Sequence, residues 1–178
     1  MLRNTLYLRL LECVKKKDVT FTRNVHLSLL NYGQDSISTL GGYLIRALTT
    51  STATLFEANI VFSSVSKPCV FTWNAIILAH TIFGEDFIAL DLYTQMMGDG
   101  VQPNDATYSW AVKICGGVGA LLEGMLLHQQ VVENGSETNV IVGNSLVDMY
   151  AKCGRLEEAR HVFDKLPGKT VVSWGAMF

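Results

Sequence analysis

The sequence predicts an all-α solenoid, a stack of two-helix repeats, and three observations on its 178 residues carry that prediction. The first is a helical hairpin from Asn144 to Trp174. Leu146, Val147, Met149 and Tyr150 form one apolar face, Gly154 breaks the chain, and Leu156, Ala159, Val162, Phe163 and Leu166 form a second face at three-to-four spacing, ended by Pro167 and Gly168. The second is self-similarity. A shift of 101 residues lays Leu55, Glu57, Ala58, Val61, Phe62, Val70 and Trp73 on Leu156, Glu158, Ala159, Val162, Phe163, Val171 and Trp174 without a gap. A shift of 102 lays Thr5, Cys13, His26, Gly33 and Gly41 on Thr107, Cys115, His128, Gly135 and Gly143. The third is the glycine spacing: a shift of 35 connects Gly84, Gly119 and Gly154, and also Gly100 with Gly135. The unit is therefore about 31 to 36 residues with two helices, the period of a solenoid.

The first unit, about Arg3 to Ile37, holds a helix through LYLRLLECV and a second from Asp18 that carries Val25 and His26 toward Gly33. Lys17 stands where a later copy has Gly119, so a helix-ending glycine is missing. In the second unit, Ser38 to Cys69, TTSTAT (Thr49 to Thr54) replaces YAKCGR (Tyr150 to Arg155) and loses both the aromatic and the glycine. Hydroxyl and β-branched residues there compete with helix, so a shorter first helix or a looser turn is expected. In the third unit, Val70 to Asn104, Gly84 breaks the first helix. Glu85 and Asp86 are expected in the first turn of the second, where carboxylates favour the dipole. Ala89, Leu90, Leu92, Tyr93 and Met96 give its buried stripe, and Gly100 and Pro103 close it. The fourth unit, Asp105 to Asn139, has Gly119, His128 and Gly135 at repeat-equivalent places, the fifth runs from Val140 to Thr170, and a sixth opens at Val171 and stops at Phe178. Pro68, Pro103 and Pro167 all fall between units, where a missing amide costs nothing. The final AMF is the reverse of the polar unit that ends a solenoid, so the chain reads as a truncated piece of something longer or a degraded copy of it.

Composition narrows the function classes. Hydrophobic residues are 49% and charged residues 17%, enough for a sizeable core. Mean hydropathy is +0.25, yet the most apolar run, Val70 to Ala79, is broken by Thr72 and Asn74 and falls short of the roughly 20 residues of a span. No membrane segment is expected, and buried inner helices account for the apolarity. Net charge is −2 and the isoelectric point about 6.1, so the global basic signature of a nucleic-acid binder is missing. Phosphate contact would have to come from local cations such as Lys113, Lys152 and Arg155. Charge is uneven, with six Lys/Arg against three acids in residues 1–40 and two against six in residues 41–110, and such runs read first as solvated faces.

Catalysis finds little support. Cys13, Cys69, Cys115 and Cys153 form no CxxC pair and no zinc spacing, and the repeat-equivalence of Cys13 and Cys115 points to packing in a reducing compartment. None of His26, His80, His128 and His161 begins an H-x-E, so a zinc deaminase is excluded, and no glycine-rich phosphate loop or nucleophile elbow is present. Glu157 and Glu158, adjacent on a helix, make no acid/base pair. No catalytic residue, metal or cofactor is expected, and no small-molecule substrate.

The stretch Asn144 to Trp174 resembles the short repeat of the plant pentatricopeptide repeat (PPR) proteins of the PLS subclass, in which P, long and short units alternate, and the resemblance covers nearly the whole chain. By it, residues 3–37 and 105–139 are long-type, 38–69 a degenerate short-type, 70–104 P-type, 140–170 short-type and 171–178 the start of a truncated repeat. The resemblance implies a right-handed α-solenoid that reads one nucleotide of single-stranded RNA per repeat. Two side chains do the reading, one near the start of the first helix and one at the last residue of the unit. Those positions hold Asn74 with Asn104, Ser109 with Asn139, and Asn144 with Thr170. Asn with Asn resembles the pyrimidine-preferring combination and Ser with Asn the adenine-preferring one. The first two units place Tyr7 with Ile37 and Gly42 with Cys69, which cannot discriminate base edges by hydrogen bonding. Phe71 and Ile141 are placed to sandwich bases, although apolar residues at helical spacing more often mark core. Asn104 also reads as a helix N-cap, and the two roles are compatible.

The implied function is sequence-selective binding of single-stranded RNA in a mitochondrion or chloroplast, in organellar RNA processing or C-to-U editing. The chain would act as a binding module, with editing-complex proteins joining in trans. Room for a transit peptide ahead of Thr5 is short. Two alternatives stay open: a protein-binding helical scaffold, against which the W-x2-L-G-x2-Y pattern is not found, and an inert truncated fragment.

Overall fold

Five glycines of the computed structural model, Gly84, Gly100, Gly119, Gly135 and Gly154, hold φ between 70 and 78°, where a side chain is strained. Three of them recur at the spacing of 35 and close helices with the same bond: Glu85 N donates to His80 O, Ala120 N to Cys115 O and Arg155 N to Tyr150 O, at 2.9, 2.9 and 2.8 Å. The structure describes Asn24 and residues 37–50 and 55–177, and every α-helix or 3-10 turn among them belongs to a helical architecture without strands. The expectations for Tyr7, Cys13, Lys17 and His26, and for the rest of the first unit, lie outside the described residues. The chain divides into two compact units, Met1–Val101 and Gln102–Phe178.

In the first, helices α1 (Ile37–Thr50), α2 (Leu55–Ser63), α3 (Val70–Ile82) and α4 (Asp86–Gly98) follow one another, with α1, α2 and α4 all packed on α3. The expected shortening of α1 does not occur: it runs 14 residues. Burial wins over propensity, because Leu44, Ile45 and Leu48 are enclosed, and the Thr49 and Thr50 hydroxyls donate back to the carbonyls of Ile45 and Arg46 at 2.7 and 2.9 Å without breaking the helix. The turn that follows, residues 51–54, is outside the described residues. A Cβ on Gly42 would lie 2.6 Å from the Phe71 ring, so the side chain missing at that position is what lets α1 and α3 meet. Glu85 is not in the first turn of α4 but at its N-cap, without a capping bond. Its carboxylate lies 2.8 Å from Nδ1 of buried His80, whose Nε2 faces Asn59 Oδ1 at 3.1 Å, tying α2, α3 and the start of α4 together.

The second unit comprises α5 (Asp105–Val118), α6 (Leu121–Glu133), a 3-10 turn (Ser136–Thr138), α7 (Val140–Lys152), α8 (Leu156–Lys165) and α9 (Val171–Met177). Helix α7 touches all the others, and its Val142, Leu146, Val147 and Met149 are enclosed. It approaches α5 closely at Gly116, where a Cβ would stand 2.9 Å from the Met149 Cα. Leu156, expected in the buried face of α8, is 61% exposed; the enclosed stripe begins one turn later at Ala159. The 101-residue shift is visible as geometry: Phe62 meets Trp73, and Phe163 meets Trp174, at 4.8 Å and 68° in both pairs.

Candidate nucleic-acid interface

Helices α5, α7 and α9 border a cleft of about 690 Å³. Helical spacing puts Ile141, Asn144, Ser145 and Asp148 of α7 on one face, and Lys113 of α5 joins them with Thr170 and Val172 at the start of α9. Ile141 and Val172 are 65% and 66% exposed, so the core reading fails for Ile141 and the pair forms an apolar wall open to solvent. The core reading suits Phe71 better, for its ring packs 4.6 Å from Tyr43 with the Arg46 guanidinium over it. Asn144 Oδ1 is buried and has no hydrogen-bond partner among the described residues. An amide oxygen left so costs about 1–3 kcal/mol, which a ligand donor would offset. Lys113 Nζ lies 5.5 Å from the Trp110 ring centroid, and no ion pair engages it among the described residues. Asp148 brings negative charge to the same cleft, partly offset by Lys152 Nζ at 2.7 Å.

The PPR repeat family model matches residues 71–101 and 144–171. A putative pentatricopeptide repeat-containing protein of Arabidopsis thaliana is 37% identical over 153 residues, 86% of this chain and 22% of the relative. Another from the same plant is 34% identical over 180 residues, covering 97% of this chain and 27% of the relative. The chain belongs to the pentatricopeptide repeat family. A third PPR protein of the same plant, named as chloroplastic, is 42% identical over 122 residues, 67% of this chain and 23% of its own length. The chain thus spans 22 to 27% of the length of these PPR relatives.

Of the candidate contacts, the cleft collects Asn144 and Thr170, which the PPR resemblance implies, and Lys113, one of the local cations. Ser109 is 5% exposed, and its hydroxyl lies 2.9 Å from that of Ser145 between α5 and α7. The last residues of the units prove to be helix caps. Asn104 Oδ1 accepts from Thr107 N at 3.0 Å while Asn104 N donates to Thr107 Oγ1, a reciprocal box at the start of α5. Asn139 Oδ1 accepts from Ile141 N at 2.9 Å, and its amide donates to Asp105 Oδ2 at 2.7 Å. Thr170 and Ser173 repeat the box at α9, with Thr170 N donating to Ser173 Oγ at 3.0 Å. Thr107 and Ser173 were therefore missed, although N-x-x-T and T-x-x-S at a helix start are legible spacings. Asn74 is half-buried on α3 of the first unit. Lys152 is paired with Asp148, and Arg155 with Glu158, whose carboxyl is held below its ordinary range by that guanidinium.

Cys115 is fully enclosed, and burial, with Glu123 and Cys153 nearby, pushes its thiol up to about 12, which makes it packing rather than chemistry. Among the described residues no group of His, Cys, Asp and Glu is arranged to hold a metal, and no helix is long and apolar enough to cross a membrane.

Proposed function

We propose that this PPR chain binds single-stranded RNA and that Asn144 meets a base edge in the cleft of α5, α7 and α9. The observation that carries this reading is the buried, unpartnered Asn144 Oδ1 beside an unpaired lysine and an apolar wall. Ile141 and Val172 supply faces against which a base can lie, Lys113 supplies charge for a phosphate, and Asn144 supplies the edge contact. Asn74 would play the same part in the first unit. Thr170, Asn104 and Asn139 serve as caps first, and any base contact from them uses what the cap leaves. The alternating P, long and short division of the array belongs to the same proposal, as does work in organellar RNA processing or C-to-U editing with partners in trans. Relatives named as chloroplastic support a chloroplast address, while a mitochondrial one rests on the family resemblance alone.

The test is fluorescence anisotropy with single-stranded oligomers that differ at one base. Asn144→Ala should weaken the preferred oligomer roughly tenfold, the scale of one good edge contact, and leave the others unchanged. Equal loss on every sequence, or no binding of any oligomer by the parent chain, would overturn the reading.

A further inference from the structure

A second cavity of about 380 Å³ opens between α6, the 3-10 turn, α7 and α8. Its floor is apolar, from Leu146 and Val162 with half-exposed Val132 beside them, while His128, His161 and Lys165 line it with one acid, Glu137, and Glu157 and Glu158 border His128 from the adjoining depression. None of these residues lines the cleft described above. His128 Nδ1 lies 2.9 Å from the Tyr150 hydroxyl, and the rings meet edge to face at 5.6 Å. One ring nitrogen is therefore fixed by packing, and Nε2 has no partner among the described residues. Burial, with Lys165 and His161 next, holds His128 below its ordinary range. Basic groups that repel one another over an apolar floor are what a carboxylate on an aliphatic stem would complete.

We propose that this cavity binds the carboxylate of an acidic peptide segment of a partner protein, with a flanking aliphatic side chain seated on the floor. With both histidines charged and Glu158 paired with Arg155, the cationic groups outnumber the remaining acids, and that balance selects an anionic occupant. With the Tyr150 phenol donating to Nδ1, the His128 proton sits on Nε2 and donates to the carboxylate; His161 donates beside it, and Lys165 supplies the fixed charge. A phosphate backbone would leave the apolar floor uncovered. The volume lies near the low end of ordinary ligand pockets, roughly 300–1,000 Å³, and suits one or two side chains rather than a whole helix. The groups facing His128 are Tyr150 of α7, Glu137 of the turn, and Glu157, Glu158, His161 and Lys165 of α8. Glu158 is already engaged by Arg155. Histidine charges as pH falls through about 8 to 5, so the ligand binds with proton uptake and more tightly on acidification.

The experiment titrates the whole chain with an acetylated, amidated leucine-glutamate-glutamate-leucine peptide, its glutamine counterpart and inorganic phosphate, following the imidazole C–H resonances by NMR. The glutamate peptide should shift His128 and His161 and bind at least about threefold more tightly near pH 6 than near pH 8. Lys165→Gln and His161→Gln, both at exposed positions that leave the fold intact, should each weaken it roughly fivefold, the scale of one exposed charge-assisted contact. RNA binding by these variants should stay at the parent level, which separates this proposal from the one above. Equal binding of the glutamine peptide, phosphate competing as well as the peptide, unaltered affinity in both variants, or no shift at either pH would each overturn the proposal.

Discussion

Asn144 is a polar residue held where an apolar one would fit, on the helix that touches every other element of its unit. Replacing it by a leucine removes the unpartnered amide oxygen and keeps the branched shape, and the added bulk can extend into the open cleft, so Asn144→Leu should be neutral or stabilising by up to about 1 kcal/mol in denaturant unfolding while losing base discrimination. A loss of stability instead would mean that the amide has a structural role and would remove the argument that it waits for a ligand. His128 makes a different prediction at the same scale. Its folded-state value is lowered by burial and by Lys165 and His161, below the usual value of about 6.5 for an unfolded chain. The unfolded state therefore binds more protons in that window, and stability rises with pH there. The contribution is complete above about pH 6.5 and is lost as pH falls from there through the folded-state value. Unfolding measured in steps from about pH 8 to about pH 5 should show this decline in the parent chain and a flatter profile in His128→Gln.

Helix starts carry more of the architecture than their sequence advertised. Asn104→Ala removes the acceptor for Thr107 N and should cost about 1 kcal/mol without any RNA present, and Thr107→Val should cost a similar amount non-additively, because both break one reciprocal box. Denaturant midpoints of the two single variants and the double variant test this; additive losses would show two independent contacts. The helix ends, by contrast, were legible from the chain alone. Gly84, Gly119 and Gly154 recur at a fixed spacing because each helix end needs the same left-handed residue. The aromatic pairs of Phe62 with Trp73 and Phe163 with Trp174 follow from the 101-residue register for the same reason. What was not legible depended on distances between helices. Ser109 and Asn144 occupy equivalent positions, yet one is enclosed by Ser145 across the α5–α7 contact and the other faces a cleft. Leu156 fits the apolar stripe by spacing but precedes the turn at which α8 meets α7, and α1 kept its length against unfavourable residues because its inner face was buried.

For the molecule as a whole, the decisive quantity is charge. With a net charge of −2, RNA affinity has to rest on a few local cations, and of the three candidate phosphate contacts in the second unit, Lys113, Lys152 and Arg155, the last two already face Asp148 and Glu158. Exposed pairs of this kind hold weakly, so a phosphate can replace the carboxylate, but it gains only the difference. Three single-strand phosphate contacts would give a slope of log affinity against log salt of about −2, taking roughly 0.7 per contact. Asp148→Asn removes the acid that lines the cleft and releases Lys152, so it should tighten binding at low salt, whereas Glu157→Gln, away from the cleft, should change it less. Anisotropy titrations at several salt concentrations measure both quantities at once. A slope of about −5 or steeper would require more cations than this unit offers, and would move the main phosphate contacts to residues 1–40, where six Lys/Arg stand against three acids.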